Sequence, residues 1–254
     1  MKILISPAKS IDLTKEIPTK EFSQAHFLAD SSKLISKLKK MSVKKIGTMM
    51  HISKDLAELN YERYNKWEEP IHPSADIRQA IFAFNGEVYR GFDSLSLNEK
   101  QMQQAQDSVR ILSGLYGVLK PLDLIYPYRL EMGTKWEISS KHKNLYKYWG
   151  TRISDYLNKE MKKDEVVINL ASNEYFKSVD QKSLKHRIIT PVFKEFKNGE
   201  YKVVMTFAKN TRGVMARWII NNSIEDPEQI KTFNENEYTY SEPLSTTDEW
   251  VFIR

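Results

Sequence analysis

Basic side chains follow several apolar runs of this sequence, where they could hold a phosphate or another anion. They are Lys9, Arg90, Lys120, Arg129, Lys177, Lys209 and Arg212. In open α/β folds, binding sites gather where strands end and loops begin. This distribution predicts one cleft lined by positive charge. Each residue also has a plainer interpretation, as a lysine or arginine that keeps a loop solvated.

The segment VRILSGLYGVLK (109–120) carries the most informative spacing in the chain. Gly114 and Gly117 lie close together between two apolar runs, and glycines let a backbone turn sharply. If a short helix begins at Gly117, its free N–H groups and its dipole form a phosphate site. Ser113, Tyr116 and Lys120 then lie beside the phosphate. The alternative is a tight turn between two buried elements.

Four ionisable residues are candidates for catalysis: Lys9, Asp123, Glu131 and Glu174. A desolvated lysine can act as a nucleophile or form a Schiff base, and a carboxylate can act as a general base. No spacing among them defines a known mechanism. Strand alternation places Arg129 and Glu131 on one face, where they can equally form a structural ion pair.

The charge of the chain favours an anionic partner. Its 254 residues carry a formal net charge of +6, and the pI is about 9.1. Nucleic acid is the first candidate for a partner of a basic protein. The alternative is a solvated surface, since Lys33, Lys37, Lys40 and Lys44 have the spacing of an ordinary amphipathic helix.

The composition also excludes several kinds of chemistry. The absence of cysteine excludes disulfides, thiolate metal sites and cysteine nucleophiles. The five histidines are scattered, and without zinc-motif spacing we expect neither a bound metal nor a cofactor. No apolar run approaches the length of a membrane span. In the absence of a targeting signal, the expected location is the cytoplasm.

Apolar periodicity predicts the helices that position these residues. Helices are expected at 31–40, 43–50 and 54–66, the last two with Ser42 and Ser53 as N-caps. A long helix is expected at 142–161. Another is expected at 211–223, which places Arg212 at a helix start, where a cation is unfavourable unless an anion is bound nearby.

Strand patterns complete the prediction of the fold. A first strand is expected at Lys2–Ser6, and a β-hairpin is expected around Asn198-Gly199. Strands alternate with helices early in the chain, whereas a hairpin dominates the last third. The pattern predicts an α/β (mixed α+β) fold in one compact domain over residues 1–254, with a mixed sheet and flanking helices.

Taken together, the motifs of this chain resemble the YaaA family of bacterial peroxide-stress proteins. They are ILISPAK (3–9), AIFAFNGEVYRG (80–91), LSGLYGVLKPLDLIYPYRLEMG (112–133), YWG (148–150), VVINLASNEYFKSV (166–179), TPVF (190–193) and AKNTRGVMARWII (208–220). The resemblance spans nearly the entire chain. It implies a cytosolic protein that limits iron-related damage and protects DNA during hydrogen-peroxide stress.

The resemblance further implies a positively charged cleft and a helix-hairpin-helix element that binds duplex or distorted DNA. The stretch that fits this element is Leu112–Leu124, with Gly114 and Gly117 in the hairpin. Two residues separate the glycines where one is usual, and Pro121 shortens the second helix. The expected partner is DNA, bound through its phosphates largely without regard to sequence, by a protein expected to be a monomer. The alternative is an enzyme that acts on a nucleotide, a base or damaged DNA in the same cleft, with Lys9 as its chemical group.

Overall fold

Strands and short helices alternate through most of the chain, which a computed structural model describes over all 254 residues. The strands are β1 (Lys2–Ile5), β2 (Ser10–Ile11), β3 (Arg78–Gln79), β4 (Phe84–Asn85), β5 (Val109–Ser113), β6 (Gly117–Leu119), β7 (Leu124–Ile125), β8 (Val167–Leu170), β9 (Ile188–Lys197), β10 (Glu200–Lys202), β11 (Thr239–Tyr240) and β12 (Glu249–Ile253).

The α-helices are α1 (Leu28–Leu38), α2 (Val43–Met50), α3 (Lys54–Lys66), α4 (Ala80–Ala83), α5 (Glu87–Phe92), α6 (Glu99–Ser108), α7 (Leu145–Trp149), α8 (Arg152–Glu160), α9 (Asn173–Phe176) and α10 (Met205–Asn221). Short 3-10 helices lie at Ser94–Ser96, Pro227–Thr232, Glu235–Glu237 and Glu242–Leu244. No helix combines the length and the apolar character that crossing a membrane requires.

A mixed sheet forms the centre of the molecule, with the strand order β11-β12-β9-β8-β1-β5-β6 and with β10 paired to β9. The strands β12, β9, β8, β1 and β5 are parallel, whereas β6, β10 and β11 are antiparallel to their neighbours. All residues of β5 and β8 are buried, as expected for parallel strands covered on both faces. The predicted mixed α/β fold is confirmed.

Local capping chemistry sets the ends of two predicted helices. The Ser42 side chain accepts a hydrogen bond from the backbone N–H of Lys45, and α2 begins at the next residue. Ser53 does the same for the N–H of Leu56 at the start of α3. Each bond satisfies an N–H that has no partner within the helix, and both predicted ranges, 43–50 and 54–66, are confirmed.

Two other predicted helices differ from the structure. The range 142–161 is divided into α7 and α8 at Gly150, whose φ of +52° is a backbone conformation that glycine adopts readily. The helix α10 begins at Met205, six residues before its predicted start at 211. Arg212 therefore lies within the helix, so the argument from a cation at a helix start is wrong.

Close contact between α5 and α10 explains why α10 begins early. A Cβ on Gly213 would lie 1.8 Å from the carbonyl oxygen of Val88, and a Cβ on Gly91 would lie 2.2 Å from that of Asn210. Glycine at both positions lets the two helix backbones approach closely. This tertiary contact favours a helix that begins at Met205, although the residues at 203–207 (VVMTF) are mostly strand-forming types.

The helix-hairpin-helix predicted over Leu112–Leu124 is wrong, because this segment is a β-hairpin. β5 and β6 pair in antiparallel register, with Ser113 opposite Gly117 and Leu112 opposite Val118. Gly117 has a φ of +70°, and the ring of Trp149 lies 2.7 Å from the position that a Cβ would occupy. The apolar runs on both sides of the glycines are thus buried strands, and the helix start required for a phosphate site at Gly117 is absent.

Candidate functional site

The carboxyl ends of β1, β5 and β8 meet at one edge of the sheet, where hydroxyl groups bond to one another. The Ser6 hydroxyl donates to Ser172 Oγ at 3.3 Å and accepts from the backbone N–H of Ser172 at 2.9 Å. The hydroxyls of Ser113 and Tyr128 share a hydrogen bond of 2.6 Å. At the edge where α/β proteins commonly place a site, these hydroxyls are therefore bonded to protein groups.

Three of the predicted residues meet at this edge. Lys9 Nζ lies 2.7 Å from Glu131 Oε2, and Arg129 Nη2 lies 3.1 Å from Glu131 Oε1. The Lys9 side chain is 64% exposed. A solvated, ion-paired ammonium is not the desolvated amine that nucleophilic catalysis requires. Arg129 and Glu131 thus form an ion pair with each other, which is the alternative that their spacing allowed.

Glu174 and the tyrosines of this edge are also held by protein groups. Glu174 Oε1 accepts from the backbone N–H of Gly133 at 2.9 Å. The Tyr89 hydroxyl donates to the Ser6 carbonyl at 3.1 Å. Burial raises the pKa of Tyr89 and Tyr128 well above the usual value, so both phenols stay protonated and act as core hydrogen-bonding groups.

Lys120 lies at the opposite edge of the sheet. β6 runs antiparallel to β5, with Leu119 paired to Ile111, so the residue after β6 lies beside the start of β5. There Lys120 Nζ is 2.9 Å from Glu160 Oε1, and Arg110 Nε is 2.7 Å from Glu160 Oε2. Sheet topology thus separates Lys120 from Lys9 and Arg129, contrary to the prediction of one cleft.

The two carboxylates that contact Lys120, those of Glu160 and Asp123, have opposite pKa shifts. Burial favours a raised pKa for Glu160, but hydrogen bonds from Arg110, Tyr156 and Lys120 outweigh it and lower the pKa to about 2. Burial raises the pKa of Asp123, which accepts from the Ser23 hydroxyl at 2.6 Å and from the Lys120 N–H at 2.7 Å. Asp123 is therefore a bonded core residue rather than an open general base.

The remaining predicted cations differ in their freedom to meet an anion. Arg90 is exposed and forms an ion pair with Glu87. Lys177 and Lys209 are exposed and form no ion pair. Arg212 is half-buried, and burial lowers its pKa. Of these four residues, only Lys177 and Lys209 are exposed and form no ion pair.

The SGLYG turn accepts hydrogen bonds from three helical segments, α1, the end of α3 and α7. The buried Ser31 hydroxyl of α1 donates to the Leu115 carbonyl at 3.0 Å. Trp67, which follows α3, donates its indole N–H to the Tyr116 hydroxyl at 2.9 Å. Trp149 Nε1 donates to the Gly114 carbonyl at 3.1 Å. The residues predicted to hold phosphate (Ser113, Gly114, Tyr116 and Gly117) are all buried.

Helices α1 and α2 carry a basic surface, for which the amphipathic spacing of the lysines also allowed plain solvation. Residues 31–54 contain seven lysines, one histidine and no aspartate or glutamate. Of these lysines, Lys33 pairs with Asp30 and Lys54 pairs with Glu58, while Lys39 donates to the Trp67 carbonyl. The other four are exposed without an ion pair. We call this group the α1–α2 lysine surface; it consists of Lys37, Lys40, Lys44 and Lys45. In the sequence it is indicated by the length of the run without aspartate or glutamate.

Two cavities of the molecule lie away from these groups. A cavity of about 460 Å³ is lined by residues such as Lys2, Asp107 and Glu165, and one of about 500 Å³ by residues such as Thr19, Asn98 and Gln103. Neither contains a predicted site residue. No three His, Asp or Glu side chains cluster in a way that could hold a metal ion.

The fold and these surfaces define a mixed-sheet α/β protein with a cluster of exposed, unpaired lysines on α1 and α2. The chain belongs to the family described as "Peroxide stress protein YaaA", whose sequence pattern matches residues 1–244. This confirms the resemblance inferred from the motifs and supports a role in peroxide stress.

Full-length relatives agree with this assignment. A UPF0246 protein of Saccharophagus degradans is 48% identical over 256 residues, covering 100% of this chain and 99% of the relative. One of Flavobacterium psychrophilum is 46% identical over 254 residues, covering 100% of both. One of Neisseria gonorrhoeae is 45% identical over 256 residues, covering 100% of this chain and 98% of the relative.

Proposed function

We propose that this protein binds DNA during peroxide stress and that the α1–α2 lysine surface contacts the phosphate backbone. The observation that carries the proposal is the set of four exposed lysines without ion pairs, within an acid-free run of 24 residues (31–54). Each such lysine keeps a full charge for a phosphate. Binding a polyanion there releases counterions from DNA, which favours association.

The chemistry of this surface favours binding without sequence recognition. Lysine ammonium groups contact phosphates as point charges and lack the planar fork with which arginine reads guanine. The basic run contains no arginine. Lys177 and Lys209, also exposed and unpaired, extend the set of proposed phosphate contacts. We therefore expect similar affinity for duplexes of unrelated sequence.

The same contacts offer a route to lower iron-mediated damage. Ferrous iron is a cation that the DNA phosphates attract, and lysines on those phosphates displace it from the backbone. The chain has no cysteine, so it has no thiol that peroxide can oxidise. We expect the protein to slow the nicking of supercoiled plasmid by iron and peroxide, and we expect the variant described next to lose most of this protection.

Salt-dependent binding of labelled duplexes tests the proposal. The variant changes Lys37, Lys40, Lys44 and Lys45 to Gln, and the matched control changes Lys162, Lys163, Lys182 and Lys185 to Gln. Both sets are exposed lysines without ion pairs, and both variants have the same net charge. Fluorescence anisotropy is measured between about 50 and 200 mM salt.

Wild-type binding should weaken steeply as the salt concentration rises. If all four lysines contact phosphates, the variant should lose up to about 3.6 from the slope of log K against log salt, at about 0.9 for each contact. The control should keep most of the slope. Equal losses in both variants would show that only net charge matters and would contradict the proposed surface. Binding without salt dependence would reject phosphate contact altogether.

A further inference from the structure

An exposed apolar patch lies on the β9–β10 hairpin and the start of α10. Five large apolar side chains are exposed within residues 196–207: Phe196, Tyr201, Val203, Met205 and Phe207. Phe196 is 61% exposed. Single exposed apolar residues are ordinary, whereas two exposed aromatic rings in contact, as Phe196 and Tyr201 are, can form a binding surface.

The hairpin holds two aromatic rings together at its tip. Asn198 and Gly199 form the turn, with φ of +55° and +83°, and this confirms the hairpin predicted there. Phe196 and Tyr201 are direct cross-strand partners. Their ring centroids are 5.1 Å apart at an interplanar angle of 61°, so the rings do not cover each other face to face. Phe207 differs, because the Arg254 guanidinium lies 4.9 Å from its ring centroid.

The charges around the rings indicate which partner they fit. Glu195 is paired with Arg254 at 2.9 Å, and Glu200 is paired with Lys202 at 2.6 Å. Lys194, Lys197 and Lys209 form no ion pair. The surplus charge of the patch is therefore positive and is available to a partner.

A second copy of the chain fits this patch poorly. In a two-fold interface the same patch lies on both sides, so the unpaired Lys194 and Lys197 of each copy would face a patch that is also positive. A strand of DNA with unpaired bases has the complementary chemistry. Its phosphates attract the lysines, and its bases present flat π faces that stack on exposed aromatic rings.

We propose that Phe196 and Tyr201 form a platform on which an unpaired DNA base stacks, so that the protein prefers DNA with a single-stranded gap to an intact duplex. This inference rests on the proposed function, and it narrows the substrate to DNA whose bases are exposed. The α1–α2 lysine surface can bind any DNA through its phosphates, whereas the β9–β10 hairpin can bind only DNA with an unpaired base.

Two labelled DNAs of the same length test the inference. One is an intact duplex, and the other carries a short gap with a 2-aminopurine base in its single strand, because the fluorescence of this base falls when it stacks. The variant is Phe196→Ala with Tyr201→Ala. The matched control is Leu95→Ala with Leu244→Ala, which removes two other exposed apolar side chains. Tyr201→Phe keeps the ring and serves as the conservative variant.

The wild type should bind the gapped DNA more tightly and quench its 2-aminopurine. The double alanine variant should lose about tenfold or more in affinity for the gapped DNA, the size of one lost base–aromatic stack. Its affinity for intact duplex should be unchanged. The control pair and Tyr201→Phe should retain the preference and the quenching. Unchanged thermal melting of the variants excludes unfolding as the cause.

The other outcomes separate this inference from the proposed function. Salt-steep binding of both DNAs with equal affinity overturns the stacking platform and leaves the lysine surface standing. Binding to neither DNA overturns both. If the wild type sediments as a dimer that only the double alanine variant dissociates, the patch is an interface between copies and the stacking platform is overturned.

Discussion

Replacing Glu160 with Gln should destabilise the protein far more than removing an exposed carboxylate. Glu160 accepts hydrogen bonds from Arg110 Nε at 2.7 Å and is 2.9 Å from Lys120 Nζ. The Arg110 side chain is 2% exposed and that of Glu160 is 18% exposed. Glu160→Gln keeps a similar shape and one acceptor oxygen, but it leaves the buried Arg110 charge without an anion.

Two magnitudes bracket the size of the loss. Breaking a buried ion pair by removing one partner costs about 3–5 kcal/mol. Arg110 keeps its bonds to the carbonyls of Gln106 and Val109, at 2.9 and 2.7 Å, which favours the lower end of that range. A Glu160 pKa lowered from 4.5 to about 2 corresponds to about 3 kcal/mol, which solvent screening reduces to about 2 kcal/mol. We therefore expect a loss of about 2–3 kcal/mol, or about 4–12 °C in Tm for a chain of this size.

The loss should depend on pH with a definite sign. The folded-state pKa of Glu160 lies below its unfolded value of 4.5, so its stabilisation is complete above that value and disappears as the pH falls toward about 2. The difference in unfolding free energy between wild type and Glu160→Gln should be full near neutral pH. It should shrink steadily in acid. Urea unfolding followed by circular dichroism over this pH range measures it.

An exposed ion pair of the same length provides the control. Lys231 Nζ lies 2.7 Å from Glu228 Oε2, with side chains 34% and 55% exposed. Glu228→Gln should change the free energy of unfolding by less than about 1 kcal/mol. The reasoning is refuted if the two variants lose the same stability, or if the loss in Glu160→Gln is constant with pH.

Three further substitutions have clear expected results in thermal melts. Gly213→Ala should cost about 3 kcal/mol or more, because its Cβ would overlap the Val88 carbonyl oxygen and force α5 and α10 apart. Gly47→Ala should raise the free energy of unfolding by about 0.5–1 kcal/mol, because alanine favours the interior of α2 over glycine and the new Cβ would lie 3.4 Å from Ala57 of α3. A loss of stability would contradict this. Lys9→Ala should have little effect on stability, and borohydride should trap no adduct between wild type and abasic DNA. An adduct that Lys9→Ala abolishes would instead establish the Schiff-base chemistry.

Elements governed by local chemistry could be predicted from the sequence. Ser42 and Ser53 cap their helices, and Asn198-Gly199 closes its hairpin, because each depends only on neighbouring residues. The start of α10 could not be predicted in this way. It depends on backbone contact with α5 through Gly91 and Gly213, and strand-like residue types at 203–207 masked it.

The candidate site shows the same division between local and long-range causes. The Arg129–Glu131 pair follows from the alternation of side chains along an extended segment that is not a strand, and it forms at 3.1 Å. Placing Lys120 beside Lys9 required knowing whether the chain turns back after Ser113. It does turn back, because Gly117 begins an antiparallel strand, and Lys120 is carried to the other edge of the sheet. A pattern of glycines and apolar runs alone does not distinguish this hairpin from two short helices.

The SGLYG turn links the buried sheet to the proposed DNA surface through position rather than through contact with phosphate. Its carbonyls and its tyrosine hydroxyl accept hydrogen bonds from α1 and from Trp67 after α3. Charges at the carboxyl edge of the sheet already have partners, since Glu131 lies between Lys9 and Arg129. A phosphate binds most favourably to a lysine whose ammonium group is contacted by water rather than by a carboxylate. The turn thus fixes α1, whose exposed lysines form the proposed DNA surface together with those of α2.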